Sequence, residues 1–342
     1  MTENLSVQAP VPAGTPAPTS AEPRPGRRIQ VHHLRQTLGP LAVCIALLVA
    51  VEIAQPDFLT GGGLRILAVQ ATPILLIALG QAAVLHVGSI DLSNAAMGLL
   101  SAVLVALTLG PLGAASPLLC IALVTAVGVV NGLLVVYAQV PSFALTLGTL
   151  GILQAAVLVL TKATTVYVTA NAGIVTSLFA NNLAGLPAAF WLAVVLAALF
   201  WALLRFTSLG QGMTAVGLNE TGALLSGLRT RLLKVCAFGI SGLLAGVAGI
   251  TVLGQSGAAS SFGLGSDLLL PGIAAALVGG TAITGGVTNP LSVIFGALTI
   301  ALIPIGSAAV SIPPTAQSLV YGAVIIIAVA LTMGRARNVI VK

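Results

Sequence analysis

From about residue 38 onward the chain alternates long apolar runs with brief polar or glycine-rich interruptions. Crossing the hydrocarbon core of a bilayer takes about 20 helical residues. Measured against that length, the apolar runs predict ten transmembrane helices, near 38–54, 64–86, 92–110, 114–137, 142–161, 187–205, 234–254, 268–284, 290–308 and 315–333. The interruptions near 88–92, 110–114, 138–141 and 284–290 are made by Gly and Pro with little polarity, so some of these helices are expected to be discontinuous. The fold class expected is therefore an all-α polytopic membrane protein.

Two stretches between runs are too polar to span. Residues 162–186 are expected as a loop on one side, with Asn171, Asn181 and Asn182. Residues 206–233 form the longest loop on the other, and their centre, AVGLNETGALLSGL at 215–228, reads as a short amphipathic helix. Ahead of the first run, residues 1–35 are rich in Pro, Ala, Ser and Thr and are expected to be a disordered tail. An apolar run starting as late as Leu38 points to an uncleaved cytoplasmic segment rather than a signal peptide. The domain plan is thus a tail at 1–35, a transmembrane unit at 36–334 and a short C-terminal extension at 335–342.

Composition supports the lipid reading. Over 342 residues, 58% are hydrophobic and only 6% are Asp, Glu, Lys or Arg, against about a quarter charged in a soluble domain. The net charge of +6 would suggest nucleic acid in a soluble chain, but the basic residues stand at the ends of apolar runs, and aromatics make up only 4%. Placing the N-terminus in the cytoplasm puts eleven of the thirteen basic residues on that side: Arg24, Arg27, Arg28 and Arg35 in the tail, Arg205, Arg229, Arg231 and Lys234 around the inner loop, and Arg335, Arg337 and Lys342 at the end. Only Arg65 and Lys162 fall outside. That asymmetry is the positive-inside pattern, with both termini cytoplasmic, and it excludes nucleic-acid binding as the reason for the charge. The surrounding partner is membrane lipid.

No phosphate-binding loop, HExxH pair or Cys/His cluster occurs, so neither nucleotide hydrolysis nor metal chemistry is expected of this chain. Cys44, Cys120 and Cys236 are widely spaced within apolar runs and read as small buried residues. Asp91 stands out in GQAAVLHVGSIDLSNAAMG because a carboxylate inside a bilayer costs about 3 kcal/mol. Two compatible roles fit it: capping the helix that starts near Leu92, or facing a solute path at a helix break. Asn131, in GVVNGLL, suits either interhelical hydrogen bonding or such a path. Thr146, Thr149 and Gln154 fall on one helical face, which should meet protein or water rather than lipid. Gly239, Gly242, Gly246 and Gly249 make a face for close helix approach, and Pro271, Gly279, Gly280, Gly285 and Gly286 mark a broken span. One internal echo, VGSIDLS at 87–93 against VGGTAIT at 278–284, hints at duplicated halves.

At these residues the chain resembles a family. GQAAVLHVGSIDLS, VPSFALTLGTLGILQA, AVGLNETGALLSGLRT, LLLPGIAAALVGGTAITGGVTNPLSVIFGAL and TAQSLVYGAVIIIAVAL are similar, in order from about 80 to 331, to the signature runs of bacterial ABC-importer permeases of the ribose, xylose and galactose type. The resemblance implies a transport subunit in the bacterial cytoplasmic membrane that passes a small polar solute, a monosaccharide above all, by alternating access. It implies a separate ATPase that holds ATP and Mg²⁺, a periplasmic or lipid-anchored solute-binding protein, and a second permease chain. The loop at 206–233 would be the coupling element, with Gly217, Asn219 and Glu220 at the family's matching positions. Asp91, Asn131, Phe143, Thr146 and Gln154 are candidates for the translocation path. Departures from the family pattern are GSIDLSNAAMG where GGIDLSVGS is commoner, Leu269-Leu270-Pro271 where Glu-Leu-Asp is frequent, and a scarcity of aromatics beyond Phe143 and Phe262. These leave branched-chain amino acids or nucleosides as alternative solutes. An ion-coupled secondary transporter is the other alternative, although it would need intramembrane carboxylates beyond Asp91 and Asp267.

Overall fold

The computed structural model describes residues 26–313, apart from 61 and 261–266, and the scattered positions 316, 319, 321–323 and 326; side chains are described from Leu38. The tail at 1–25, the C-terminal extension at 335–342, most of the run at 315–333 and Phe262 lie outside the described residues.

The apolar runs become helices: α1 (Gly26–Ala54), α2 (Gly63–His86), α3 (Asn94–Leu112), α4 (Ala115–Tyr137), α5 (Ser142–Thr161), α6 (Gly173–Ala180), α7 (Ala188–Phe206), α8 (Ser208–Leu218), α9 (Glu220–Leu225), α10 (Thr230–Ser256), α11 (Leu269–Val278) and α12 (Pro290–Ala309). Seven of these, α2, α3, α4, α5, α7, α10 and α12, are long and apolar enough to cross a membrane. The first helix reaches back to Gly26, so it takes in the last ten residues of the stretch expected as tail. The run at 268–284 yields in α11 a helix of only ten residues, ended at Gly279 and Gly280, as its glycines suggest.

α2 is the central element. From Ala71 to His86 every residue is buried, and α1, α7, α10, α11 and α12 surround it or one another. At the periphery, α5 buries only Thr146, Leu153, Val157 and Thr161, a single stripe at helical spacing. Its other faces carry Phe143, Leu147, Ile152 and Val159, all more than half exposed. Outward apolar faces of this extent suit hydrocarbon rather than water.

α10 packs closest, against α4 and α3. A β-carbon at Gly242 would stand 2.8 Å from the Val124 carbonyl oxygen and 3.0 Å from the Thr125 Cα. Gly246 abuts Ile121, and Gly249 abuts Gly98 and Ala102. The small-residue face read from the sequence therefore lets backbones meet where no hydrophobic driving force between helices is available.

Two short antiparallel pairs cover one end of the bundle: β1 (Val166–Tyr167) with β4 (Ala258–Ala259), in register Val166↔Ala259, and β2 (Asn182–Leu183) with β3 (Leu186–Pro187). β1, β2 and the start of β3 occupy, with α6, the region at 162–186 expected as plain loop, while β4 follows α10. At the opposite end lie the C-termini of α2, α4 and α7, the N-termini of α5 and α10, and α8 with α9. The amphipathic helix expected over 215–228 is in fact two helices. Asn219, extended at φ −160°, interrupts it, and its Oδ1 accepts from the Gly222 amide at 3.0 Å, starting α9 afresh. Asn offers the backbone this local bond in place of continued helix.

Candidate functional site

The segment between α2 and α3 turns back on itself. Gly88 ends α2 in the left-handed region at φ +72°, its amide bonding the Leu85 carbonyl at 2.9 Å while the Ser89 amide reaches Val84 at 3.1 Å. This paired closure satisfies helix-end carbonyls and favours glycine. The chain then climbs back beside α2, so that Gln81 Nε2 donates to the Asp91 carbonyl oxygen.

Asp91 is fully buried. Its Oδ1 accepts from the Ser93 amide at 3.0 Å and from Ser93 Oγ at 2.6 Å, and its Oδ2 accepts from Ser241 Oγ on α10 at 2.8 Å. The amide bond lies in the turn just ahead of α3, whose N-cap residue is Ser93 with no side-chain cap. Asp91 therefore braces the entry to the helix, where partial positive charge favours a carboxylate, rather than capping the helix itself. Two further chains of donors converge there. Thr149 Oγ1 on α5 donates to Asn131 Oδ1 on α4 at 2.8 Å, and Asn131 Nδ2 donates to Ser93 Oγ at 3.0 Å. Asn94 Nδ2 donates to Ser241 Oγ at 2.6 Å. The carboxylate is the sink of a network that joins the α2–α3 break, α4, α5 and α10. Hydrogen-bond donors on both oxygens are what a buried carboxylate requires.

Thr146 sits beside this network rather than in it. Its Oγ1 accepts from the Leu92 amide at 3.0 Å and donates to the Ser142 carbonyl at 2.8 Å, and Ser142 Oγ accepts from the Ile90 amide at 3.1 Å. The first turn of α5 thereby holds the returning strand of the break. Of the five path candidates, then, Asp91, Asn131 and Thr146 are brought together. Phe143 lies outward, 55% exposed, and Gln154 lies half-buried further along α5, away from the cluster. His86 does not face Asp91; its Nε2 is 3.0 Å from Thr214 Oγ1 on α8.

Reading the sequence missed Ser93, Ser241, Gln81 and Asn94. Each is an uncharged polar residue in or beside an apolar run, the signal that marks functional or bundle-facing positions in lipid, but serine is too common for that signal to select it alone.

The coupling candidates divide. Asn219 and Glu220 are exposed, and Glu220 Oε2 is 2.6 Å from Lys234 Nζ on α10. Gly217 instead faces inward, against the end of α2. Beside α9 opens a groove of about 870 Å³, lined among others by Gly88, Ser89, Ser142, Tyr137, Arg229, Arg231 and Lys234, with the Arg231 guanidinium 5.5 Å from the Tyr137 ring centre. Its floor is thus the tip of the Asp91 break.

A bundle of apolar helices, broken at glycines and holding, among the described residues, one buried carboxylate, defines an all-α multi-pass membrane protein. Residues 63–329 match the family model described as branched-chain amino acid transport system / permease component, and the chain belongs to that family. Among individual proteins, it is 31% identical over 295 residues to the D-allose transport system permease protein of Escherichia coli K12, covering 84% of this chain and 89% of that one. It is 31% identical over 311 residues to the ribose import permease protein of Bacillus subtilis 168, covering 89% and 95%. With the L-arabinose ABC transporter permease protein of Azospirillum brasilense it shares 29% over 325 residues, covering 92% and 93%. It is a bacterial ABC-importer permease related to sugar-uptake systems, a class of subunit that is not itself catalytic. Membership in such systems implies an ATPase and a solute-binding partner.

Proposed function

We propose that this chain passes a monosaccharide across the bacterial inner membrane by alternating access, driven by an ATPase that docks on α8 and α9. The names of the similar permeases, for allose, ribose and arabinose, support a sugar. ATP and Mg²⁺ belong to the ATPase, a binding protein delivers the solute, and a second permease chain completes the path. Asp91, Asn131 and Thr146 brace that path from within the bundle, while Phe143 and Gln154 stand on or beside the open face of α5 that the second chain would meet.

The observation that carries the coupling role is a continuous mechanical link. Glu220 at the start of α9 grips Lys234 on α10, and Ser241, seven residues further along the same helix and so about 10 Å away at 1.5 Å per residue, grips Asp91. A load on α9 reaches the buried carboxylate through one rigid helix. Short helices of this kind dock in grooves of partner proteins, and rocking of packed helices about a fixed site is how alternating access proceeds.

The test is ATP-dependent uptake in vesicles with Glu220→Lys. Reversing the charge opposite Lys234 and at the docking face should lower solute uptake about tenfold or more; unchanged uptake removes the coupling role. The family description favours a second solute class, branched-chain amino acids. Binding of ribose, arabinose or allose against leucine by the solute-binding partner decides between them.

A further inference from the structure

Gly217 lies where three backbones meet. A β-carbon there would overlap the carbonyl oxygen of His86, at the end of α2, and the amide nitrogen of Gly286, and would stand 2.8 Å from the Gly286 Cα. The contact is reciprocal: at Gly285 a β-carbon would be 2.8 Å from the Gly217 carbonyl oxygen and 3.0 Å from the Gly88 amide nitrogen, and at Gly286 it would press on Leu218. The Gly286 amide donates to the His86 carbonyl at 2.8 Å, and the loop carrying it is pinched shut by Ala282 N to Val287 O at 2.9 Å. On the other side of the joint, His86 Nε2 meets Thr214 Oγ1 at 3.0 Å, one turn before Gly217 on α8. α8 is thus seated directly on the end of α2 through His86 and on the α11–α12 break through Gly285 and Gly286, and Gly285 in turn abuts Gly88 of the α2–α3 break.

We propose that Gly217 is a positioning residue for transport: with Gly285, Gly286 and the His86–Thr214 contact it forms the joint that carries displacement of α8 into both broken spans together. It acts through the main chains of His86 and Gly286, against which it packs. The proposal rests on the coupling role of α8 and α9 given above. Physically, a joint made of backbone on backbone has almost no slack, because packed atoms cannot yield as a long side chain can. Coupling between distant sites needs an element of this kind that both sites bias. Glu220 and Lys234 carry load along α10 to Asp91; the glycine joint is a second, parallel route that ends at the α2 hook and its counterpart before α12.

The experiment uses the full chain with its ATPase and solute-binding partners in vesicles, reading solute uptake and ATP hydrolysis side by side. Gly217→Ala inserts a methyl where none fits. Uptake should fall about tenfold while ATP hydrolysis stays within about twofold, so that less solute moves per ATP. An unchanged ratio of solute to ATP overturns the joint, as does a loss of both in proportion to lost assembly when the gentler variant below is also silent. That gentler variant is Thr214→Val, which keeps shape but removes the hydroxyl facing His86; it should lower solute moved per ATP about two- to fivefold, and Thr214→Ser should restore it. A Thr214→Val chain that couples like the native one overturns the proposal without any question of folding. Glu220→Lys, run in parallel, separates the two claims. If it lowers the ratio and the Gly217 and Thr214 variants do not, the joint alone fails; if it too is silent, the coupling role of α8–α9 fails and the joint with it.

Discussion

The two breaks in apolar helices, at 87–93 and at 279–289, open in the same way and close differently. Gly88 and Gly280 both take positive φ, at +72° and +87°, and both are followed by the same pair of closing bonds, with Gly280 N to Leu277 O at 2.9 Å and Thr281 N to Ala276 O at 3.0 Å in the second. A side chain ahead of each returning helix makes the same local bond, although Asn289 is itself the N-cap and Asp91 stands two residues before Ser93, the N-cap of α3. Asp91 Oδ1 accepts from the amide two residues on, and so does Asn289 Oδ1, from Leu291 at 3.2 Å. Asp91 follows Gly88 by three residues, whereas Asn289 follows Gly280 by nine. The added residues of the second break form the excursion that reaches Gly217. One break therefore buries a charge in a polar network; the other reaches out to α8. A shared local frame has been put to two uses by its length and by one carboxylate.

The largest effect should separate the two starting residues. Asp91→Ala removes the acceptor that two hydroxyls and an amide converge on, and burial leaves those donors without water; a loss of about 3 kcal/mol in stability, read from unfolding in mixed detergent, with uptake lost alongside, is the expected outcome. A smaller loss would mean that Ser93 and Ser241 find other acceptors and that the network is not what distinguishes the first break. Next in size is Ser241→Ala, which takes one bond from the carboxylate and one acceptor from Asn94 and should cost about 2 kcal/mol. Smallest is Asn289→Ala, which removes the uncharged N-cap of α12, at about 1 kcal/mol. If Asn289→Ala cost as much as Asp91→Ala, the contrast between the breaks would collapse.

Much of this was legible along the chain because lipid imposes a simple code. The apolar runs gave helices at 63–86, 94–112, 115–137, 142–161, 188–206 and 230–256 within a few residues of their expected bounds. Asp91 and Asn131 were visible as polar groups in apolar surroundings. The internal echo was visible too, but one residue out of step: matching VGSIDLS to VGGTAIT pairs Gly88 with Gly279, while the backbone pairs it with Gly280. Letters alone cannot show which of two adjacent glycines adopts the left-handed turn, since that depends on where the preceding helix runs out of partners. The split of the amphipathic segment at Asn219 escaped for a similar reason, because its periodicity suits one helix as well as two.

What the sequence by itself determined is the solvent and the class: a chain with so few charges must put its surface in hydrocarbon, and in hydrocarbon the backbone must close its own hydrogen bonds, so helices follow. Only the tertiary structure decided which polar groups meet. Ser241 lies 150 residues from Asp91, and Gly217 touches His86 and Gly286 through main-chain atoms that no side-chain pattern records. Periodicity reports which face of a helix is buried; it carries no information about which distant backbone comes to lie against that face.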